Sequence, residues 1–233
     1  MSSAAKDGRG SLLRHGVSRV LLLVALAAVT LSAAEPCRIT LLQTTDIHGK
    51  FGIGREDGSG WQRLAKTVDR YRQEKGPRRT LLIDCGDTLQ GSFTARFSHG
   101  AVPAAMLQRC DYDIYVPGNH AFDFGVSRFF DCIRPVRRQV LCGNLRIETD
   151  DGTQADFPAW RLFSLDRVRV AVIGMTSAFL DNWIWGKKRE RVHVEKAAAA
   201  LQRIMPEVLA CGPDLIVLAI HQGFQPYDPR GVN

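Results

Sequence analysis

Long apolar runs, paired cysteine motifs and low-complexity tracts are what this sequence lacks. The longest apolar or small stretch, Val20 to Ala34, has 15 residues. Spanning a bilayer takes roughly 20, so no stable membrane anchor is expected. Six cysteines occur, but none as C-x-x-C, which argues against a zinc finger or a dithiol redox site. Cys85 and Cys142 sit in apolar, strand-like runs, where cysteine usually acts as a small buried hydrophobe. No basic stripe interleaved with aromatics appears, so a nucleic-acid polymer is not an expected partner. Internal repeats are absent as well.

What is present at the N-terminus reads as an export signal. Lys6, Arg9, Arg14 and Arg19 precede the apolar stretch, and Ser32-Ala33-Ala34 offers small residues for cleavage before Glu35. The expected organisation is a leader over 1–34 and one catalytic domain over 35–233, exported to the periplasm or the extracellular space. The leader carries +3 of the formal +7, which leaves +4. That mild excess suits an anionic small molecule.

From Arg38 onward, short apolar runs alternate with helical patterns. Strands are expected at Arg38–Thr44, Thr80–Asp84, Ile114–Val116, Gln139–Cys142, Val168–Gly174 and Leu215–Ile220. Helices are expected at Trp61–Glu74, Val102–Cys110, Val126–Ile133 and Val194–Leu209. Continuous apolar runs predict strands buried on both faces. Alternation of strand and helix predicts a layered α/β domain, in which ligands gather at the carboxyl ends of strands.

Four of those strands run into polar turns. The first leads to Thr45-Asp46-Ile47-His48-Gly49, the second to Asp84-Cys85-Gly86-Asp87, the third to Gly118-Asn119-His120-Ala121-Phe122-Asp123, and the last to Ile220-His221-Gln222-Gly223. Asp46 and His48 are two apart, and in an extended segment such residues point the same way. Asp87 has two carboxylate oxygens and can bridge two ions. Asn119 adds a neutral oxygen and His221 another imidazole. Oxygen and imidazole together suit zinc, manganese or iron rather than calcium. Two such cations roughly 3.5–4 Å apart can clamp a phosphoryl oxygen and ionise a water near neutral pH. Any one of these motifs is common in ordinary turns; all four in order, each after a strand, is not.

The same residues carry a family resemblance. Leu42 to Gly49 (LQTTDIHG), Gly86 to Ser92 (GDTLQGS), Gly118 to Asp123 (GNHAFD) and His221 resemble the ordered signature of calcineurin-like metallophosphoesterases. The match is nearer to the 5'-nucleotidase and 2',3'-cyclic-nucleotide phosphodiesterase branch. That resemblance implies an α-β-β-α sandwich and two divalent metal ions, with a phosphate ester or nucleotide as substrate. It implies that Asp46 and His48 bind one ion, that Asp87 bridges, and that Asn119 and His221 bind the other. His120 matches the family's catalytic histidine and Asp123 the carboxylate that orients it. The implied reaction is in-line attack on phosphorus by hydroxide held at the two-metal site.

Two positions depart from the pattern. Ala121 stands where the branch usually has glutamate. The family also closes its site with G-H-x-H, whereas the 12 residues after His221 contain no histidine. By resemblance each ion then lacks one ligand, and the branch's C-terminal substrate domain is missing. A catalytically impaired, secreted remnant is therefore the alternative reading. A thiosulfohydrolase-type relative is another, because its pattern is close.

Overall fold

The computed structural model describes residues 36–50, 60–178, 180 and 191–223. The expected leader lies outside them. The chain divides into Met1–Pro36 and Cys37–Asn233, and the elements below all belong to the second unit. They run β1 (Thr40–Thr44), α1 (Gly60–Lys75), β2 (Thr80–Asp84), α2 (Phe93–Phe97), α3 (Ala101–Arg109), β3 (Ile114–Tyr115), α4 (Val126–Ile133), β4 (Leu145–Glu148), β5 (Gln154–Asp156), β6 (Trp160–Leu165), β7 (Val168–Thr176), β8 (Val192–Val194), α5 (Ala197–Ala210) and β9 (Leu215–His221).

Two sheets stack between helices. The first has the order β1-β2-β3 and is parallel throughout. The second has the order β6-β7-β9, with β7 antiparallel to β6 and parallel to β9. A small antiparallel sheet, β5-β4-β8, stands apart.

Strand alternation sorts the side chains into layers. Leu81 and Ile83 of β2 face Val170 and Val172 of β7, which builds the core between the sheets. Leu82, between them, points the other way into a core with Trp61 and Val68 of α1, Leu107 of α3 and Phe129 of α4. On β7, Ala171, Ile173 and Met175 face away from the first sheet and pack on Ala200, Ile204 and Val208 of α5. The result is the α-β-β-α sandwich, and it explains the unbroken apolar runs. Every residue of β2 is buried, as is β7 from Val170 onward. Each leucine placed there contributes about 1.5–3 kcal/mol.

Three expectations fail. Gln139–Cys142 is not a strand: Arg134–Gln139 forms 3₁₀ turns, and a single bridge joins Val140 to Tyr115. The segment divides its hydrogen bonds, Leu141 N to Tyr115 O and Cys142 N to Pro158 O, so no ladder develops. Second, two strands are not buried on both faces: Leu41 of β1 is 41% exposed, and in β9 Leu215 is 38% and Leu218 42% exposed. Strand β9 pairs on one side with β7 and, among the described residues, with nothing on the other. Third, the helix expected from Val194 begins at Ala197, because Val192–Val194 is taken by β8.

Candidate metal centre

Parallel pairing puts the carboxyl ends of β1, β2 and β3 on one edge of the first sheet, and the pairing continues past the strands. Cys85 N donates to Thr44 O, Asp46 N to Gly86 O, and His48 N to Asp87 O, at 2.8–2.9 Å. The loops after β1 and β2 are thereby zipped together, which brings Asp46 and His48 beside Asp87. One ligand atom from each of these three lies within 4.8 Å of the others.

The route to that convergence differs from the expectation of an extended segment. Asp46, His48 and Asp87 all have left-handed backbones, with φ of 54°, 51° and 56°. Among the described residues they are three of six non-glycine residues with positive φ. Asp and His tolerate this region better than most residues, but it is strained. Tight turns, not strand alternation, aim the Asp46 and His48 side chains together.

The third loop closes on the second. An added Cβ at Gly118 would lie 2.6 Å from Asp87 N and collide with Asp87 Oδ1, so only glycine allows this approach. Beyond it, His120 N donates to Asp87 Oδ1 at 2.9 Å. The His120 ring stands 5.4 Å from the His48 ring, centroid to centroid. Its Nδ1 lies 2.9 Å from Asp123 Oδ2. The turn carrying this pair is anchored from behind by Phe122, which is buried against Phe129. Ala121 is also buried.

The second sheet contributes one residue. His221, the last residue of β9, reaches across to the first sheet, where its Nδ1 meets Cys85 O at 2.7 Å. A carbonyl can only accept, so Nδ1 carries the hydrogen and Nε2 is the nitrogen left to face the site. Nε2 lies 3.3 Å from Asp87 Oδ2 and 2.9 Å from Asn119 Oδ1. Asp46, His48, Asp87, Asn119 and His221 therefore converge, with His120 and Asp123 at their side.

This donor set fits a divalent cation. Asp87 Oδ2 and Asn119 Oδ1 both stand within 3.3 Å of His221 Nε2, a grouping of potential lone-pair donors that suits a cation. Burial works to lower the His221 pKa, but the hydrogen bond and charge of Asp87 outweigh it and raise the pKa. Asp87 is buried too, which pushes its pKa up, yet His221 and the His120 N–H pull it below the usual carboxylate value. Asp87 is 3% exposed at its side chain and Asp46 54%, so the site has a closed floor and an open mouth.

Behind this floor lies a network of polar residues that motif order does not reveal. Asp84 closes β2, is fully buried, and accepts hydrogen bonds from Thr44 Oγ1, Thr88 Oγ1 and Gly86 N. Its one signal in the sequence is an acid ending an otherwise apolar strand, three residues before Asp87.

Comparisons with known proteins bear on the family and the fold. Residues 39–187 match the family described as calcineurin-like phosphoesterase. The chain is 26% identical over 221 residues to the 5'-nucleotidase of Bos taurus, covering 88% of this chain and 37% of that protein. A 5'-nucleotidase precursor from Thermus thermophilus superposes with a TM-score of 0.67 at 23% identity, over 79% of this chain and 37% of its own. A sulfate thiohydrolase from Thermus thermophilus does so with a TM-score of 0.68 at 17% identity, over 81% and 45%. At those identities the two structures share the fold. The chain spans 37–45% of the length of these relatives. Among the described residues, no helix is long and apolar enough to cross a membrane.

Proposed function

The chain belongs to the calcineurin-like phosphoesterase family, and from that premise we propose that it is a metal-dependent phosphoester hydrolase acting on nucleotides. One observation carries this reading. A single buried carboxylate, Asp87, stands within 4.8 Å of ligand atoms of Asp46 and His48 and 3.3 Å from His221 Nε2. That is the arrangement a carboxylate shared by two cations requires.

In this reading Asp46 and His48 hold one cation, Asn119 and His221 the other, and Asp87 both. Zinc, manganese and iron all suit these donors. When bound, such ions supply Lewis acidity toward a phosphoryl oxygen and a nucleophilic water near neutral pH. His120 is partly exposed and stands beside His48. Asp123 orients the His120 ring through Nδ1, and in the imidazolium form Nε2 would donate to a phosphoryl oxygen or to the departing alkoxide. The left-handed turns hold the carboxylates in place before substrate arrives, so little reorganisation accompanies the reaction.

Nucleotides are the proposed substrates because the bovine relative is a 5'-nucleotidase. We also propose that residues 1–34 are a cleaved leader and that 35–233 are the exported catalytic domain; a mature protein beginning elsewhere than Glu35 would refute the cleavage site. The test of function is phosphate release from an aryl phosphate, a nucleoside monophosphate and a 2',3'-cyclic nucleotide, with manganese or zinc present and a thiosulfate ester alongside. Turnover of a phosphate ester above that of His120→Ala is the expected result. Turnover of the thiosulfate ester alone, or none above the variant, overturns it.

A further inference from the structure

Behind the candidate ligands lies a buried carboxylate to which the proposed reaction assigns no part. Asp84 is 0% exposed. Its Oδ2 accepts from Thr44 Oγ1 at 2.7 Å and from Thr88 Oγ1 at 2.9 Å. Its Oδ1 accepts from Gly86 N at 3.0 Å. Each of these donors has a place in the site. Thr44 ends β1, two residues before Asp46. Gly86 and Thr88 flank Asp87 on either side.

The hydroxyl protons are fully committed. Thr44 donates its only hydrogen to Asp84, so the 2.9 Å contact between Thr44 Oγ1 and the Tyr112 hydroxyl must be donated by the tyrosine. The order is Tyr112 to Thr44 to Asp84, with Thr88 and Gly86 converging from the other side. Three donors and no acceptor face the carboxylate, which suits its acceptor-only form. An amide of the same shape would turn an N–H₂ toward at least one of those donors.

The segment so held is strained. Gly86 has φ of 100° and Asp87 φ of 56°. A left-handed aspartate persists only where its surroundings over-determine it. Asp84 grips the residue before Asp87 and the residue after it, and ties both to the end of β1.

We propose that Asp84 is the positioning residue of the metal centre: through Thr88, Gly86 and Thr44 it locks the Gly86–Asp87 turn in the conformation that presents Asp87 to cations. It touches no ligand atom and acts through the turn. This inference rests on the metal-site reading above and extends it to a residue outside the ligand set.

The test uses the full chain and manganese alone, with calorimetric titration as the readout and circular dichroism as the control for folding. Burial pushes the Asp84 pKa up to about 7, so titration is done at about pH 8, above that value. Asp84→Asn is expected to remain folded and to weaken manganese binding by about 10–100-fold, the scale for residues that orient ligands. Thr88→Val is expected to weaken it in the same direction, and Thr88→Ser, which keeps the hydroxyl, to restore wild-type affinity. If Asp84→Asn does not fold, Thr88→Val against Thr88→Ser decides the matter. Unchanged manganese affinity in folded Asp84→Asn or in Thr88→Val overturns the positioning role and leaves the metal site standing. A wild-type chain that binds no manganese overturns the metal site itself, and this inference with it.

Discussion

The two stacked sheets serve the site in different ways. The first sheet supplies six of the seven candidate residues from three consecutive loops, all at one edge, over a strand that is buried along its whole length. The second supplies His221 alone, from β9, a strand with two leucines more than a third exposed. In the first sheet, position comes from backbone: zipped loops, left-handed turns and a glycine contact. In the second, the β7–β9 ladder carries the His221 backbone, and one side-chain hydrogen bond, His221 Nδ1 to Cys85 O, ties its ring to the first sheet. A metal centre needs several ligands fixed to within fractions of an ångström, and a rigid sheet edge meets that need better than a single long reach.

The sharpest way to break this contrast is to truncate an apolar residue on each side. Leu82 on β2 is 1% exposed and Leu218 on β9 is 42% exposed. Leu82→Ala should cost about 2–5 kcal/mol of stability, as large-to-small changes in a packed core do. Leu218→Ala should cost no more than about 0.5 kcal/mol, as at ordinary surface positions. Chemical denaturation of both variants checks this. Equal losses would mean that β9 is as enclosed as β2.

Gly118→Ala sharpens the claim that backbone approach positions the first sheet's ligands. The new methyl meets Asp87 N and Oδ1, so Asp87 must move. Displacement of about 1 Å can lower turnover about 100-fold, equivalent to about 2.7 kcal/mol. Steady-state kinetics on a phosphate ester, with melting temperature as control, measures it. Wild-type kcat in this variant would contradict the close contact.

A smaller effect tests the single reach from the second sheet. The folded pKa of His221 is raised by Asp87. In metal-free protein its contribution is therefore fully present below the unfolded histidine pKa, about 6.5, and is lost as pH rises through the higher folded value. The stability difference between wild type and His221→Ala should accordingly be largest below about pH 6.5 and shrink above it. Urea denaturation across pH in a chelator detects it. A difference that grows with pH would mean that the histidine is neutral throughout.

Sequence legibility follows the same division. Thr80–Asp84 and Val126–Ile133 are legible to the residue, because two-sided burial and a strong helical stripe leave few alternatives. Motif order picks out Asp46, His48, Asp87, Asn119 and His221 as candidates, and the family resemblance adds His120 and Asp123. The run Leu215–Ile220 misleads, since an apolar strand reads alike whether it is central or at an edge. The left-handed turns at Asp46 and His48 are invisible, because alternation describes extended chain and nothing in D-I-H states a positive φ. Asp84 stands in the second strand-end segment, but its role escapes for a similar reason: its partners, Thr44 and Thr88, lie on either side of it in sequence and meet it only in the fold. Strands β4, β5, β6 and β8 escape too. Three of them have only three or four residues, too short for any period to register.

The most direct measurement is anomalous X-ray scattering from crystals of the chain grown with manganese. Two peaks roughly 4 Å apart, one on each side of the Asp87 carboxylate, with Asp46 and His48 at one and Asn119 and His221 at the other, are the predicted result. Peaks away from Asp87, or none, would contradict a shared-carboxylate metal centre.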